Sequence, residues 1–360
     1  MLNLPGFKNL EGLNSLQIFS SVKKTNSPRI LIIAPAWVGD MVMAQSLFIT
    51  LKQQQPDCQI DVIAPAWTLP LAQRMPEVSL ALEMPLARGK LGLMARINLG
   101  KSLRSRHYSQ GILLPNTWKS ALTPFFADIP LRTGYVGEFR YGLLNDIRHL
   151  NKSVLTQTVQ RFVALAEKSP PKVAPICPAP HFYVGTENQQ QVLAKFELNT
   201  DKKILTLCPG AEYGEAKRWP IAHFAEVAKE KLAANWQVWL FGSPKDAPVT
   251  AQINELSGGN CIDLAGKTNL VEAVDLLSLA DAVISNDSGL MHVAAALDKK
   301  LIAIYGSSDP NFTPPLSQKA KIISLNLECS PCFKRECPLG HTRCLTEITP
   351  QQVIAELDSL

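Results

Sequence analysis

The pentapeptide IAPAW stands at residues 33–37 and again at residues 63–67. Each copy closes a continuous apolar run, RILIIA at 29–34 and QIDVIA at 59–64. Such runs are expected of strands buried on both faces of a parallel sheet. Proline after the run ends the ladder, because it has no N–H to donate. Between the copies Met43, Leu47 and Leu51 recur at helical spacing until Pro56 stops the pattern. The interval is about the length of one strand–helix–strand unit. GILL at 111–114 followed by PNTW repeats the plan. The first half is therefore committed to a parallel α/β sheet. Its three loops lie at the carboxyl edge, where open parallel sheets bind ligands. Only the first loop carries Gly39-Asp40 opening a helix.

A second alternating set follows PPKVAPICPAP at 170–180, the best linker candidate in the chain. Strands are expected at 203–207, 237–241, 282–285 and 301–305, and helices at 221–233, 271–279 and 290–297. Two parallel-sheet domains facing across a cleft result. The first is expected over residues 29–175 and the second over 176–345. A helix in 346–360 is expected to pack back toward the first domain, and residues 1–28 are set aside as an extension. At 360 residues and 46% hydrophobic content the chain can bury two cores.

No apolar run approaches the ~20 residues that span a bilayer. The first stretch lacks the basic start and compact apolar core of a secretory signal, so a cytoplasmic protein is expected. Lys plus Arg is 36 against 31 for Asp plus Glu, giving a net charge of +5. That is mild for a nucleic-acid binder, and no lysine-rich tract appears. Arg96, Lys101, Arg104, Arg106, Arg132, Arg140 and Arg148 bunch in the first half. As a group they suit an acidic ligand or an anionic membrane surface.

Four segments could carry chemistry. In ISNDSGLMHVAAAL (284–297) a buried strand ends at Asn286-Asp287, and Ser288-Gly289 opens a small-residue helix. The free N–H groups and positive dipole end of a helix start make a phosphate site. Asp287 could accept bonds from sugar hydroxyls or serve as a plain N-cap. His292 could face a ligand or be a satisfied core histidine. In CPGAEYGEAKRWP (208–220), Lys217 could neutralise a leaving diphosphate or be a solvated loop lysine. Asp40 at the first helix start could take a proton from an acceptor hydroxyl or cap the helix. Finally, Cys329, Cys332, Cys337 and Cys344 form C-x2-C-x4-C-x6-C. This spacing departs from a zinc knuckle, and structural zinc stands as an alternative to reduced thiols or a disulfide. Neither a G-x-G-x-x-G fingerprint nor a Walker loop is present, which counts against a dehydrogenase and an ATPase.

WVGDMVMAQSL (37–47), RTGYVGEFRYGLLND (132–146), KRWP (217–220), NDSGLMHVAAAL (286–297) and the cysteine segment occur in that order. Together they resemble the ADP-heptose:lipopolysaccharide heptosyltransferases, glycosyltransferases of the GT-B type with two Rossmann-like domains. The resemblance covers nearly everything from Arg29 onward. It implies a metal-independent, inverting transfer with no cofactor, from ADP-heptose in the second domain to a heptosylated Kdo2–lipid A acceptor. Asp40 then matches the general base. Lys217, Thr268, Asp287, Ser288, Gly289 and His292 match donor-site positions, and Arg132 and Arg140 are the preferred acceptor contacts. A monomer touching the cytoplasmic face of the inner membrane, with no nucleic-acid partner, completes the expectation. Rival readings within this architecture are a heptosyltransferase of another core position, a sugar-nucleotide epimerase and a sugar-binding protein without turnover.

Overall fold

In the computed structural model, which describes residues 27–86 and 89–360, the repeat spacing becomes a strand register. Strand β1 (Arg29–Ile33) pairs in parallel with β2 (Gln59–Pro65), with Arg29 opposite Gln59 and Ile33 opposite Ile63. The two IAPAW copies are thus neighbours side by side. The Ala34 N–H donates to the Ile63 carbonyl at 2.9 Å. Trp67 Nε1 donates to the Ala36 carbonyl at 2.7 Å, so the second copy grips the first.

Four more strands complete the first sheet: β3 (Val78–Met84), β4 (Gln110–Leu113), β5 (Leu131–Tyr135) and β6 (Asp146–Arg148). Their order is β3-β2-β1-β4-β5-β6 and every pairing is parallel. The second sheet is built alike from β7 (Ile204–Cys208), β8 (Gln237–Leu240), β9 (Ile262–Asp263), β10 (Ala282–Asn286), β11 (Lys300–Ile304) and β12 (Ala320–Ile323). Its order, β12-β11-β10-β7-β8-β9, is again all parallel. β7 and β10 are buried at every position, polar Thr206, Ser285 and Asn286 included, as central strands covered on both faces are. This is the expected GT-B arrangement of two Rossmann-like sheets.

The helices that bear on the site are α1 (Val38–Gln54), α2 (Thr158–Val163), α3 (Ile221–Ala233), α4 (Gly289–Ala296) and α5 (Pro350–Asp358). α1 is buried at Met41 through Phe48 and at Leu51, so it has no solvent face along those turns. It packs on its own sheet, on α2 and on α4 of the other half. Its buried polar pair Gln45 and Ser46 is satisfied by the linker. Gln45 exchanges hydrogen bonds with the backbone of His181 at 2.7 and 2.9 Å, and Ser46 donates to the Pro178 carbonyl at 2.7 Å.

Two expectations about the ends of the chain meet different outcomes. The extension at 1–28 lies outside the described residues, apart from its last two. The C-terminal helix packs not on the first domain but on the second. Val353, Ile354 and Leu357 form one stripe of α5 and join Phe224, Val227 and Ala228 of α3 in a single apolar cluster. An ion pair of 2.5 Å from Lys231 to Asp358 closes that contact. The stripe fits the outer groove of the second sheet, the nearest apolar surface left uncovered.

Candidate active site

Both halves bring a helix start to the cleft. At the amino end of α1, Trp37 takes the cap position and Asp40 lies inside the first turn rather than at the cap. At the amino end of α4, Ser288 takes the cap position and Gly289 is the first helical residue. The two starts are in contact. A Cβ on Gly39 would stand 2.6 Å from His292 Cδ2, and one on Gly289 would stand 2.7 Å from Val38 Cβ. Side chains at either position would hold the helices apart, so the glycines set how closely the halves approach.

This closeness acts on Asp40. Burial pushes its carboxyl up to about 6, against a smaller downward pull from the charge of Lys217. The group is ionised at neutral pH yet still basic enough to take a proton, the condition for a general base. His292 is buried, and that burial pushes it down to about 4. It is a neutral ring wedged between α1 and α4.

Opposite Asp40, the lysine loop is held by buried polar residues. Asn286, the last residue of β10, accepts from the Trp219 N–H at 3.0 Å and donates to the Pro209 carbonyl at 2.7 Å. Trp219 is buried and donates its indole N–H to the Ile348 carbonyl at 2.9 Å. Between these anchors Lys217 Nζ reaches Asp287 Oδ2 at 2.5 Å. Asp287 is therefore the partner of Lys217 and not a helix cap. A second clasp ties the loop after β8 to the same place. Asp246 accepts from Ser243 N and Oγ at 2.9 and 2.7 Å and from Arg218 Nη2 at 3.2 Å. Gly210 and Gly242 leave room for that side chain, whose atoms would come within 2.6 and 2.7 Å of a Cβ there.

Beside these groups lies a cleft of about 510 Å³ lined from both halves. Ala36 through Gly39 and Trp67 line one wall; Gly210, Ser243, Thr268, Ser288 and Gly289 are among the residues of the other. Trp37 and Trp67, the last residues of the two IAPAW copies, show 44% and 37% of their surface there. The volume suits a nucleotide-sized ligand. The start of α4 offers N–H groups to a phosphate.

The family description "Glycosyltransferase family 9 (heptosyltransferase)" matches residues 96–343. The lipopolysaccharide heptosyltransferase 2 of Salmonella typhimurium is 48% identical over 92% of this chain and 98% of its own. The chain belongs to glycosyltransferase family 9, the heptosyltransferases. The lipooligosaccharide heptosyltransferase 2 of Haemophilus influenzae is also 48% identical, over 92% of this chain and 99% of its own. The solved structure of Escherichia coli ADP-heptose LPS heptosyltransferase II superposes with a TM-score of 0.83 at 44% identity. It covers 92% of this chain and 98% of that one.

Within this heptosyltransferase, the expected site residues separate. Thr268, Ser288 and Gly289 line the cleft, while Asp40 follows its lining residue Gly39, and Lys217 pairs with Asp287 just before Ser288. The His292 ring is spent on the contact between the halves. Of the two expected acceptor arginines, Arg140 is corrected. It is 1% exposed, and its guanidinium donates to the carbonyls of Tyr135 and Pro115, to Ser120 Oγ and to Asn116 Oδ1, so it fastens loops of the first domain. Arg132, half-buried, donates to the Leu143 and Ile129 carbonyls, each at 2.6 Å, and lies over the Phe125 ring.

The cysteine segment has a use that its spacing did not suggest. Cys329, Cys332 and Cys337 all lie within electrostatic reach of Cys344, and none of the four is bridged. Among the described residues no three His, Cys, Asp or Glu side chains are placed to hold a metal ion, so the zinc alternative gains no ligand set here. What the segment does is brace the lysine loop. Ala216 N donates to the Arg335 carbonyl at 3.0 Å, Tyr213 Oη donates to the Phe333 carbonyl at 2.9 Å, and Phe333 N donates to the Ser307 carbonyl at 2.7 Å. Sequence reasoning missed Asn286, Arg218 and Asp246 as supports. The only signal was their place in NDSG, KRWP and GSPKD, where nothing in the spacing pairs them.

Proposed function

We propose that this heptosyltransferase is a heptosyltransferase II, moving L-glycero-D-manno-heptose from ADP-heptose to the first heptose of the Kdo2–lipid A inner core. One observation carries the reading. A carboxyl raised to about 6 lies within electrostatic reach of Lys217, which pairs with Asp287 beside the start of α4. The identity with heptosyltransferases 2 supports the substrate pair.

In this reading the diphosphate sits at the start of α4 and the heptose lies between Lys217–Asp287 and Asp40. The acceptor hydroxyl gives its proton to Asp40 as its oxygen attacks the anomeric carbon. The bond from that carbon to the diphosphate oxygen breaks on the opposite side, so configuration inverts. Charge growing on the departing ADP is met by Lys217 and the N–H groups of Ser288 and Gly289. These groups do the work that a divalent metal does in other sugar-nucleotide transferases, which supports a metal-independent reaction. Asp287 fixes the lysine and leaves its second oxygen for a sugar hydroxyl.

A cytoplasmic enzyme working at the inner membrane as a monomer fits the acceptor's lipid tail. Exposed Phe139 and Tyr141 support a peripheral contact. No helix among the described residues is long and apolar enough to cross a membrane.

The test is Asp40→Asn, assayed with ADP-heptose and core acceptors carrying or lacking the first heptose. Transfer is expected to fall by about 10²–10⁴-fold with ADP affinity unchanged, and wild type is expected to use only the heptosylated acceptor. Near wild-type turnover by the Asp40→Asn enzyme would remove Asp40 from the chemistry. Turnover of ADP-heptose without any acceptor would favour the epimerase reading, and none with either acceptor the sugar-binding one.

A further inference from the structure

The charges of this site do not balance for the ligand it is proposed to take. Asp40 and Asp287 bring two carboxylates to the cleft, and Lys217 is the cation set between them. Arg218 is paired with Asp246, and Lys245 with Glu212. His292, pushed down to about 4, is neutral. A diphosphate entering such a site would meet an excess of negative charge, which the dipole ends of α1 and α4 offset only in part. Among the described residues, Asp40 and Asp287 outnumber Lys217 by one charge, and a further cation would offset that excess.

The fold supplies one. Lys217 Nζ lies 5.2 Å from the centroid of the Tyr213 ring, and the Arg335 guanidinium carbon lies 5.5 Å from the same centroid. One half-exposed aromatic ring therefore carries both cations. The arrangement is built from the backbone up. The Arg335 carbonyl accepts from Ala216 N at 3.0 Å, one residue before Lys217. Gly214 lets the two segments touch, since a Cβ there would stand 2.3 Å from the Arg335 oxygen. Tyr213 is fixed in turn through its hydroxyl to Phe333. Arg335 is exposed and has no ion-pair partner among the described residues. Its head group is held by cation–π attraction, the condition of an arginine free to form charge-assisted bonds.

We propose that Arg335 is a second cation of the active site, binding an oxyanion of the bound substrate, either phosphate or carboxylate. The inference rests on the transferase reading above and extends it to a residue of the cysteine-rich segment. That segment then has a role at the site: it delivers the arginine to the rim of the lysine loop.

The experiment compares Arg335→Gln, Arg335→Lys and Lys334→Ala with wild type. Lys334 is the exposed neighbour on the same turn and serves as the control for general positive field. Two quantities are read for each variant, ADP affinity by titration calorimetry and acceptor KM in the transfer assay, each at two salt concentrations. Melting temperature is followed in parallel. For Arg335→Gln a loss of about tenfold to hundredfold is expected, the size of one charge-assisted hydrogen bond, with part regained in Arg335→Lys. A loss confined to ADP affinity assigns the donor diphosphate, and a loss confined to acceptor KM assigns an acceptor oxyanion. Unchanged values for both, or an equal loss in Lys334→Ala, would overturn the proposal. If wild type itself transfers no heptose, the reading of the function fails and not this one, because ADP affinity still reports on Arg335.

Discussion

Asp40 shows how a single burial sets a chemical range. Its carboxyl is raised to about 6 by burial, and Lys217 pulls it back only in part. In the mechanism proposed above the ionised form is the base, so kcat/KM should fall tenfold per pH unit as pH drops below about 6. That ascending limb should vanish in Asp40→Asn, whose small residual rate should be flat through the same range. Stability runs the other way. The folded chain holds the Asp40 proton more tightly than the unfolded one, so its contribution is full below the ordinary 3.8 and is lost as pH rises through about 6. Asp40→Asn should therefore melt higher than wild type at a pH of about 8 while being inactive, and a lower melting temperature would contradict the burial argument. At this scale the sequence made legible where Asp40, Lys217 and Asp287 stand, inside a helix start, in the loop after β7 and just past the end of β10. It was not legible for Arg140, since the carbonyls that absorb it come from the loop at 115–117 and from the end of β5 at Tyr135, which no local pattern joins.

The helix pair at the cleft makes a prediction in which two effects oppose each other. Alanine in place of glycine inside a helix is intrinsically favourable by about 1 kcal/mol. At Gly39, however, the new methyl would stand 2.6 Å from the His292 ring, a packed contact between two buried elements. Overpacking of that kind costs about 1–3 kcal/mol, so Gly39→Ala should lower the melting temperature and weaken transfer. Adding His292→Ala should recover a good part of the lost stability, giving a coupling of about 1 kcal/mol or more in a double-mutant cycle. Additive effects would mean that the helices do not meet as described. The inner strands and several helices were readable from the apolar runs: the helix at 221–233 appears with those limits, and the IAPAW interval became the β1–β2 register, whereas β3, β5, β6, β9 and β12 at the sheets' outer sides were not read. The destination of α5 was not readable. Its stripe of Val353, Ile354 and Leu357 announces a buried face but not which of two similar sheets receives it.

At the scale of the molecule, two sheets do not mean two cores. One apolar cluster runs from Ile30 and Ile32 of β1 through Phe48 of α1 to Val283, Ala303 and Tyr305 of the second half. Halves that share a core should unfold together. We expect one calorimetric transition, with van't Hoff and calorimetric enthalpies that agree, and two resolved transitions would show the halves to be independent. The contact of Val38-Gly39 with Gly289 adds a consequence for modularity. GT-B enzymes invite the building of hybrids, a donor half from one parent joined at the linker to an acceptor half from another. Here the joint that matters is not the linker but a seam one atom wide, at which each half presents a bare backbone for the other's side chain. A foreign half whose helix begins with anything larger than glycine would seat its donor too far from Asp40. Successful hybrids should then be those matched at two positions about 250 residues apart in the chain, whatever their overall identity.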